Sequence, residues 1–271
     1  MRPHPECGLC MMKWVYERVG HSLSGDQQFT ILKRLTAAFA AEAEPSMNMG
    51  TLCNRSVAAV YDFLLASSGA YAPLKRKSNE AAARLIDKAR KFIENSSSSA
   101  QGFLKACGMA ALSNVAPIGV PSAPFEFTVV EDLIKGDLPL PAPAGDIYEA
   151  ASKARNVFYV ADNAGEIGFD ALVISLLKMM GAHVTLAVKE GPFFDDATVR
   201  GGIFVPEEAD GELALSFQES DFVISKGTGN FEVFKGSGAG KPVLFLLKAK
   251  CGPVSREAET PQGEFIIRLE R

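Results

Sequence analysis

Apolar positions recur along this chain in two rhythms, and the change between them falls near the middle. From Cys7 to about Asn114 the spacing is helical. In the stretch starting at Asp26, Phe29, Leu32, Leu35 and Phe39 return at steps of three and four, one apolar stripe of a 3.6-residue period. Between Ser78 and Glu94 the stripe is Leu85, Ile86, Ala89, Phe92 and Ile93, with Ser78 placed to cap the helix. Four serines, Ser96–Ser99, interrupt, and a further helix is expected from about Ala100 to Leu112. Roughly five helices are expected here.

Pro117–Pro124 and Leu138–Pro143 read as ordered connections, because each proline fixes φ and removes a backbone donor. Past Gly145 short apolar runs appear at Val157–Ala161, Val184–Val188, Phe222–Ser225, Val243–Leu247 and Phe265–Ile267, separated by helical patterns such as Gly168–Met180. Strand alternating with helix predicts crossover connections and a mostly parallel sheet. The runs are continuous rather than alternating, so both sheet faces should be covered. The expected architecture is α/β: a three-layer α/β/α domain over residues 126–271, with an all-helical N-terminal subdomain over 1–125.

Composition narrows the function classes. The chain has 271 residues, 47% of them hydrophobic, enough for a substantial core and too apolar for disorder. Lysine and arginine number 28 against 32 acidic residues, a net charge of −4, so no basic excess exists for a nucleic-acid backbone. The longest apolar runs, such as Pro242–Leu247, are far short of the roughly 20 residues that span a bilayer. Met1–Glu6 leads into no apolar segment of signal-peptide type, and the odd count of five cysteines fits a reducing interior. A cytoplasmic protein without a nucleic-acid or membrane partner is expected; oligomeric state is not readable.

In an open parallel sheet, ligands bind beyond the carboxyl ends of the strands. After the first run stand Asp162-Asn163-Ala164-Gly165-Glu166, after the second Asp195-Asp196-Ala197-Thr198, and after the third Lys226-Gly227-Thr228-Gly229-Asn230. Asp162 and Asn163 offer hard oxygen atoms suited to Mg²⁺ or Mn²⁺; either could instead cap the helix that follows. Asp195 and Asp196 point apart in an extended loop, so at most one reaches a shared ion, and both could cap a short helix near Ala197. Lys226 can hold a phosphate oxygen beside backbone N–H groups freed by glycine; the alternative is a turn needing positive φ at Gly227 and Gly229. Asp170, inside a predicted helix, reads as a surface residue. Gly236–Lys241 is one residue short of a P-loop and precedes a strand. Cys7-Gly8-Leu9-Cys10 is a single CxxC, readable as buried thiols, a redox pair, or half of a metal site completed through space by His4, Cys53, Cys107 or Cys251.

As an ordered set, Glu6–Cys10, Asp162–Glu166, Phe194–Thr198, Ser225–Glu232 and Leu247–Cys251 resemble the DUF89 family of metal-dependent damage-control phosphatases, in particular its prokaryotic branch with an N-terminal CxxC. The resemblance covers nearly the whole chain. It implies a helical N-terminal portion beside an α/β/α domain, and hydrolysis of a small phosphate monoester, either a sugar phosphate or a phosphorylated or damaged metabolite. It further implies a divalent metal (Mn, Co, Ni or Mg) held by Asp162, Asn163 and Asp196, with Lys226 near the phosphate. Asp162 and Lys226 would be catalytic. Glu166, Asn114, Gly227 and Asn230 fall at pocket positions. Departures from the family pattern occur at Ser113, Pro117 and Asp195, and over Tyr71–Lys75. Two rival functions are methyl transfer from S-adenosylmethionine, for which the Asp162–Glu166 loop is too acidic and too poor in glycine, and non-catalytic binding of a phosphometabolite.

Overall fold

The computed structural model describes residues 1–20, 23–67, 69, 71–116, 124–189, 194, 204–237 and 240–271. All five apolar runs form strands: β1 (Asn156–Val160), β2 (His183–Ala187), β3 (Phe222–Lys226), β4 (Val243–Lys248) and β5 (Phe265–Glu270). Their order is β2-β1-β3-β4-β5, with β5 antiparallel at the edge and the other pairings parallel. The chain leaves β1 toward β2, then returns to β3 on the other side of β1. That reversal opens a crevice beyond the carboxyl ends of β1 and β3.

Each strand divides its side chains between two cores. Phe158, Val160, Val223, Phe245 and Leu247 join one core with residues of α1 (Pro5–Gly20), α2 (Gly25–Glu42), α3 (Met49–Ala58), α4 (Tyr61–Ser67), α10 (Gly211–Glu219), α11 (Thr228–Phe234) and α12 (Gly252–Glu257). Val157, Tyr159, Ile224, Leu244 and Leu246 join the other with α5 (Ala72–Glu94), α6 (Ser99–Leu112), α7 (Thr128–Lys135), α8 (Ile147–Lys153) and α9 (Ile167–Met179). Burial on both faces explains why β1, β3 and β4 read as continuous apolar runs, whereas the edge strand β2 is only partly covered, with Leu186 39% exposed. Residues from both sides of the change in rhythm near 125 share each core.

Three local expectations need correction. In α2 the buried positions are Ile31 and Leu35, while Phe29 is 69% and Leu32 45% exposed. The helix lies on the outside of its layer against α1 and α3, so a narrow face is covered. Helix α5 begins at Ala72, with Pro73 in its first turn, where a missing N–H costs nothing. Ser78 therefore sits inside the helix and, instead of capping it, its Oγ accepts the Phe125 N–H at 2.9 Å. Asp170 is fully buried within α9.

Among the described residues no helix is long and apolar enough to cross a membrane.

Candidate active site

Beyond β1 the chain turns sharply at Gly165, whose φ is +82° and whose N–H donates to Asn79 Oδ1 of α5 at 2.6 Å. A Cβ there would stand 2.8 Å from the Ser78 carbonyl oxygen, so only glycine allows this loop to seat on α5. The turn places Asp162 and Asn163 at the crevice and buries Glu166 beneath them.

The three side chains form one network with Asn114, which follows α6. Asn114 Nδ2 donates to Asp162 Oδ2 at 3.0 Å and to Glu166 Oε2 at 3.1 Å, and its Oδ1 accepts the Lys248 N–H at 3.2 Å. Asn163 Nδ2 donates to Asp162 Oδ2 at 2.9 Å and to Glu166 Oε1 at 2.8 Å, which turns its carbonyl oxygen away from both carboxylates. Lys226, at the end of β3, pairs with Glu166 and is wholly buried. Lys189, just past β2, donates to Asp162 Oδ1 at 3.2 Å. Gly227 has φ +85°, and a Cβ on it would come within 2.0 Å of Asp162 Oδ2, so two requirements select glycine. Gly229 is inside α11 and needs no such backbone. Asn230 Nδ2 ties the β1 and β3 ends together, donating to the Ala161 carbonyl at 2.9 Å and the Lys226 carbonyl at 2.7 Å.

Electrostatics follow from this packing. Burial works to raise the Asp162 carboxyl, but the ammonium groups of Lys189, Lys250 and Lys226 outweigh it and hold the group below its usual range. Burial works to lower Lys226, yet Glu166, Asp170 and Asp162 surround it and keep its pKa above that of a free lysine. Asp170 lies deeper, accepting the Tyr159 hydroxyl at 2.7 Å, and burial pushes it up to about 7.

A cavity of about 380 Å³ opens over the crevice. Its floor carries Lys189 after β2, Asp162 and Asn163 after β1, Thr228 after β3, and Lys250 after β4. Helix α1 crosses this edge as a wall. Its start is tied to α12 by the Glu6–Arg256 ion pair and by His4 to Glu257 at 3.1 Å. Farther along, Trp14 meets Phe194, with ring centroids 4.9 Å apart.

The expected site residues thus fall in two layers. Asp162 and Asn163 line the cavity; Asn114, Glu166, Lys226, Gly227 and Asn230 are packed beneath it. Asp196, with Asp195, lies outside the described residues, as does Pro117. Among the described residues no three His, Cys, Asp or Glu side chains are grouped as a metal site. The five cysteines are free thiols, and Cys107 is buried in the opposite core, away from Cys7 and Cys10. Sequence reading missed Lys189, the α1 wall and the burial of Asp170. A lysine ending the β2 run was a usable signal for the first; nothing local marked the other two.

The oxygen donors present suit a divalent ion. Asp162 brings an ionised carboxylate and Asn163 an amide oxygen to the same cavity, and the Lys189 ammonium sits on Asp162 Oδ1, so a cation is already accommodated beside that carboxylate. An open α/β sheet with an acidic, lysine-flanked cavity at its switch point defines a class of small-molecule site. Within that class, the chain belongs to the damage-control phosphatase ARMT1-like domain family, which it matches over residues 4–203 and 201–266. It is 30% identical to a damage-control phosphatase of Pyrococcus horikoshii over 76% of each chain, and 26% identical to a damage-control phosphatase of Archaeoglobus fulgidus over 99% of each. The crystal structure of a DUF89 family protein from Pyrococcus horikoshii superposes with a TM-score of 0.78 at 25% identity, covering 98% of both chains.

Proposed function

We propose that the protein hydrolyses a small phosphate monoester derived from a phosphorylated, damaged metabolite, using a divalent metal held by Asp162, Asn163 and Asp196. The observation that carries this reading is the ionised Asp162 at the β1/β3 crevice, flanked by Asn163 and by cations on both sides. Two relatives named as damage-control phosphatases support it. A bound Mn²⁺, Co²⁺, Ni²⁺ or Mg²⁺ would supply charge neutralisation for the phosphoryl group and its leaving oxygen.

The chain's own residues do the rest. Lys189 and Lys250, which line the cavity, attract the phosphate dianion as point charges. Asn114 and Asn163 hold Asp162 and Glu166 at fixed geometry, so little reorganisation is needed when charge develops. Lys226 adds its charge from below and compensates the buried Glu166. The α1 wall limits water around the floor, where low dielectric strengthens each of these interactions. A reducing cytoplasm, in which five free thiols persist, is the proposed location.

The test is phosphate release from a panel of monoesters with each of the four metals and with chelator. Asp162→Ala and Asp196→Ala should each lower metal-dependent release about a hundredfold or more, the scale of losing one charge-stabilising group. Circular dichroism should show both variants folded. Undiminished turnover in both would sink the assignment, and ligand-raised melting without any phosphate release would instead favour a binding protein.

A further inference from the structure

Besides thiols and thioethers, the cavity is lined by the charged side chains of Glu6 and Arg18 in α1, Asp162, Lys189, Glu232 in α11, and Lys250. Of the three carboxyls, Glu6 is paired with Arg256 and Asp162 with Lys189. The Glu232 carboxyl makes no ion pair or hydrogen bond among the described residues. It closes the Ser225–Glu232 motif, and the phosphate-holding floor makes no use of it.

Helix α11 fixes its position. Gly227, just ahead of the helix, is pressed against Asp162, and Thr228 and Gly229 of the first turn line the cavity with Glu232. Glu232 lies four residues beyond Thr228, so both project from one face of the helix, with a rise of about 6 Å between them. The carboxyl thus stands one turn beyond the Asp162 floor. Its charge acts there on the thiols of Cys7 and Cys10 in α1 and of Cys251 ahead of α12.

These surroundings keep a proton on it. The three thiols are held above their usual range by desolvation, so none supplies a charge near neutral pH. The Met1 amino group, which donates to the Glu232 carbonyl, is the positive charge acting on the carboxyl, and burial lowers that amine to about 6. Burial outweighs it and pushes Glu232 up to about 7, while Asp162 is held ionised. A carboxylic acid so balanced gives up a proton near neutral pH and takes one back.

We infer that Glu232 is the general acid of the reaction, donating its proton to the ester oxygen of the substrate as the bond from phosphorus to that oxygen breaks. The electron pair of the bond stays on the oxygen, which leaves as an alcohol, and Glu232 becomes a carboxylate. Water forms the new P–O bond. One of its protons stays on the phosphate, and the other passes to solvent, from which Glu232 is reprotonated. This rests on the phosphatase reading above and assigns a catalytic residue to it.

Two esters separate proton donation from every other role: p-nitrophenyl phosphate, and ribose 5-phosphate or the best primary-alcohol ester of the panel. A p-nitrophenolate leaves near neutral pH without a proton, whereas a primary alkoxide does not. Glu232→Gln is nearly isosteric but has no acidic proton. At pH 7, with the metal that best supports release, its kcat on the primary-alcohol ester should fall about a hundredfold or more, and on p-nitrophenyl phosphate less than about fivefold. Glu232→Asp, which keeps an acid one methylene farther back, should recover about tenfold of the loss on the primary-alcohol ester. Equal losses of Glu232→Gln on the two esters, or no loss on either, would overturn the assignment while leaving the phosphatase reading standing. Native turnover confined to aryl esters would do the same, since no alkoxide would then be protonated. No release from any monoester, with any of the four metals, would overturn the phosphatase reading itself and this inference with it.

Discussion

The two helical layers cover opposite faces of one sheet, and they are built to different ends. The α5–α9 layer is close-packed. Helix α6 brings small residues to the sheet, and a Cβ on Gly108 would stand 2.1 Å from Leu140 Cδ1. From this side come Asn114, Glu166 and Asp170, all fully buried. The opposite layer leaves a cavity between α1 and the strand ends and exposes Phe29 and Leu32 on its outer helix. One face holds charges still; the other leaves room. The contrast fits a site whose electrostatics must be rigid while its ligand comes and goes.

The largest effect is expected on the packed side. Phe169→Ala removes a fully buried ring between α9 and the sheet and should cost about 3–5 kcal/mol in urea or thermal unfolding. A cost under about 1 kcal/mol would show that this layer is not the rigid one. Next in size, Gly227→Ala sets a methyl group against Asp162 and forces alanine to φ +85°, so roughly 2–4 kcal/mol should be lost together with Mn²⁺ affinity by titration calorimetry. Retained Mn²⁺ affinity in that variant would mean the Asp162 carboxylate is not held where the structure places it.

Asp170→Asn probes the packed layer through pH. The Asp170 carboxyl has a native value near 7 against about 4 unfolded, so the native state holds its proton more tightly. That relative stabilisation is complete below about pH 4 and is lost as pH rises to 7. The variant lacks the titration, so its stability relative to the native protein should increase from pH 5 to pH 8, by on the order of 2 kcal/mol. Melting series in the presence of chelator would show it, and a difference flat with pH would place the ionisation elsewhere. The smallest effect belongs to the open side. Met11→Ala enlarges an existing cavity and should cost about 2 kcal/mol or less in thermal unfolding. A larger loss would make α1 a load-carrying wall like α9.

Legibility in the sequence followed locality. Every strand was marked by its own apolar run, and Asp162, Asn163, Lys226 and Gly227 were exposed to inspection because a strand end precedes each cluster. The helix after the four serines was also readable, while its cap, Ser98, was hidden among four like residues that read only as an interruption. Ser78 was misread because a good cap residue inside a helix can be recruited by a distant segment, here Phe125. Phe29 and Leu32 were misassigned because periodicity locates an apolar stripe without saying how much of it a neighbour will cover.

Read alone, the amino-acid order determined the element types, the covered parallel sheet and the acidic and basic clusters at its carboxyl edge, since each depends on contacts a few residues apart or on strand–crossover geometry. Only the folded structure decided that α1 spans that edge, that Lys189 meets Asp162, that Lys226 is buried against Glu166, and that Asp170 lies in the core. These are relations between segments tens to hundreds of residues apart, where side-chain environment is set by which surfaces pack together.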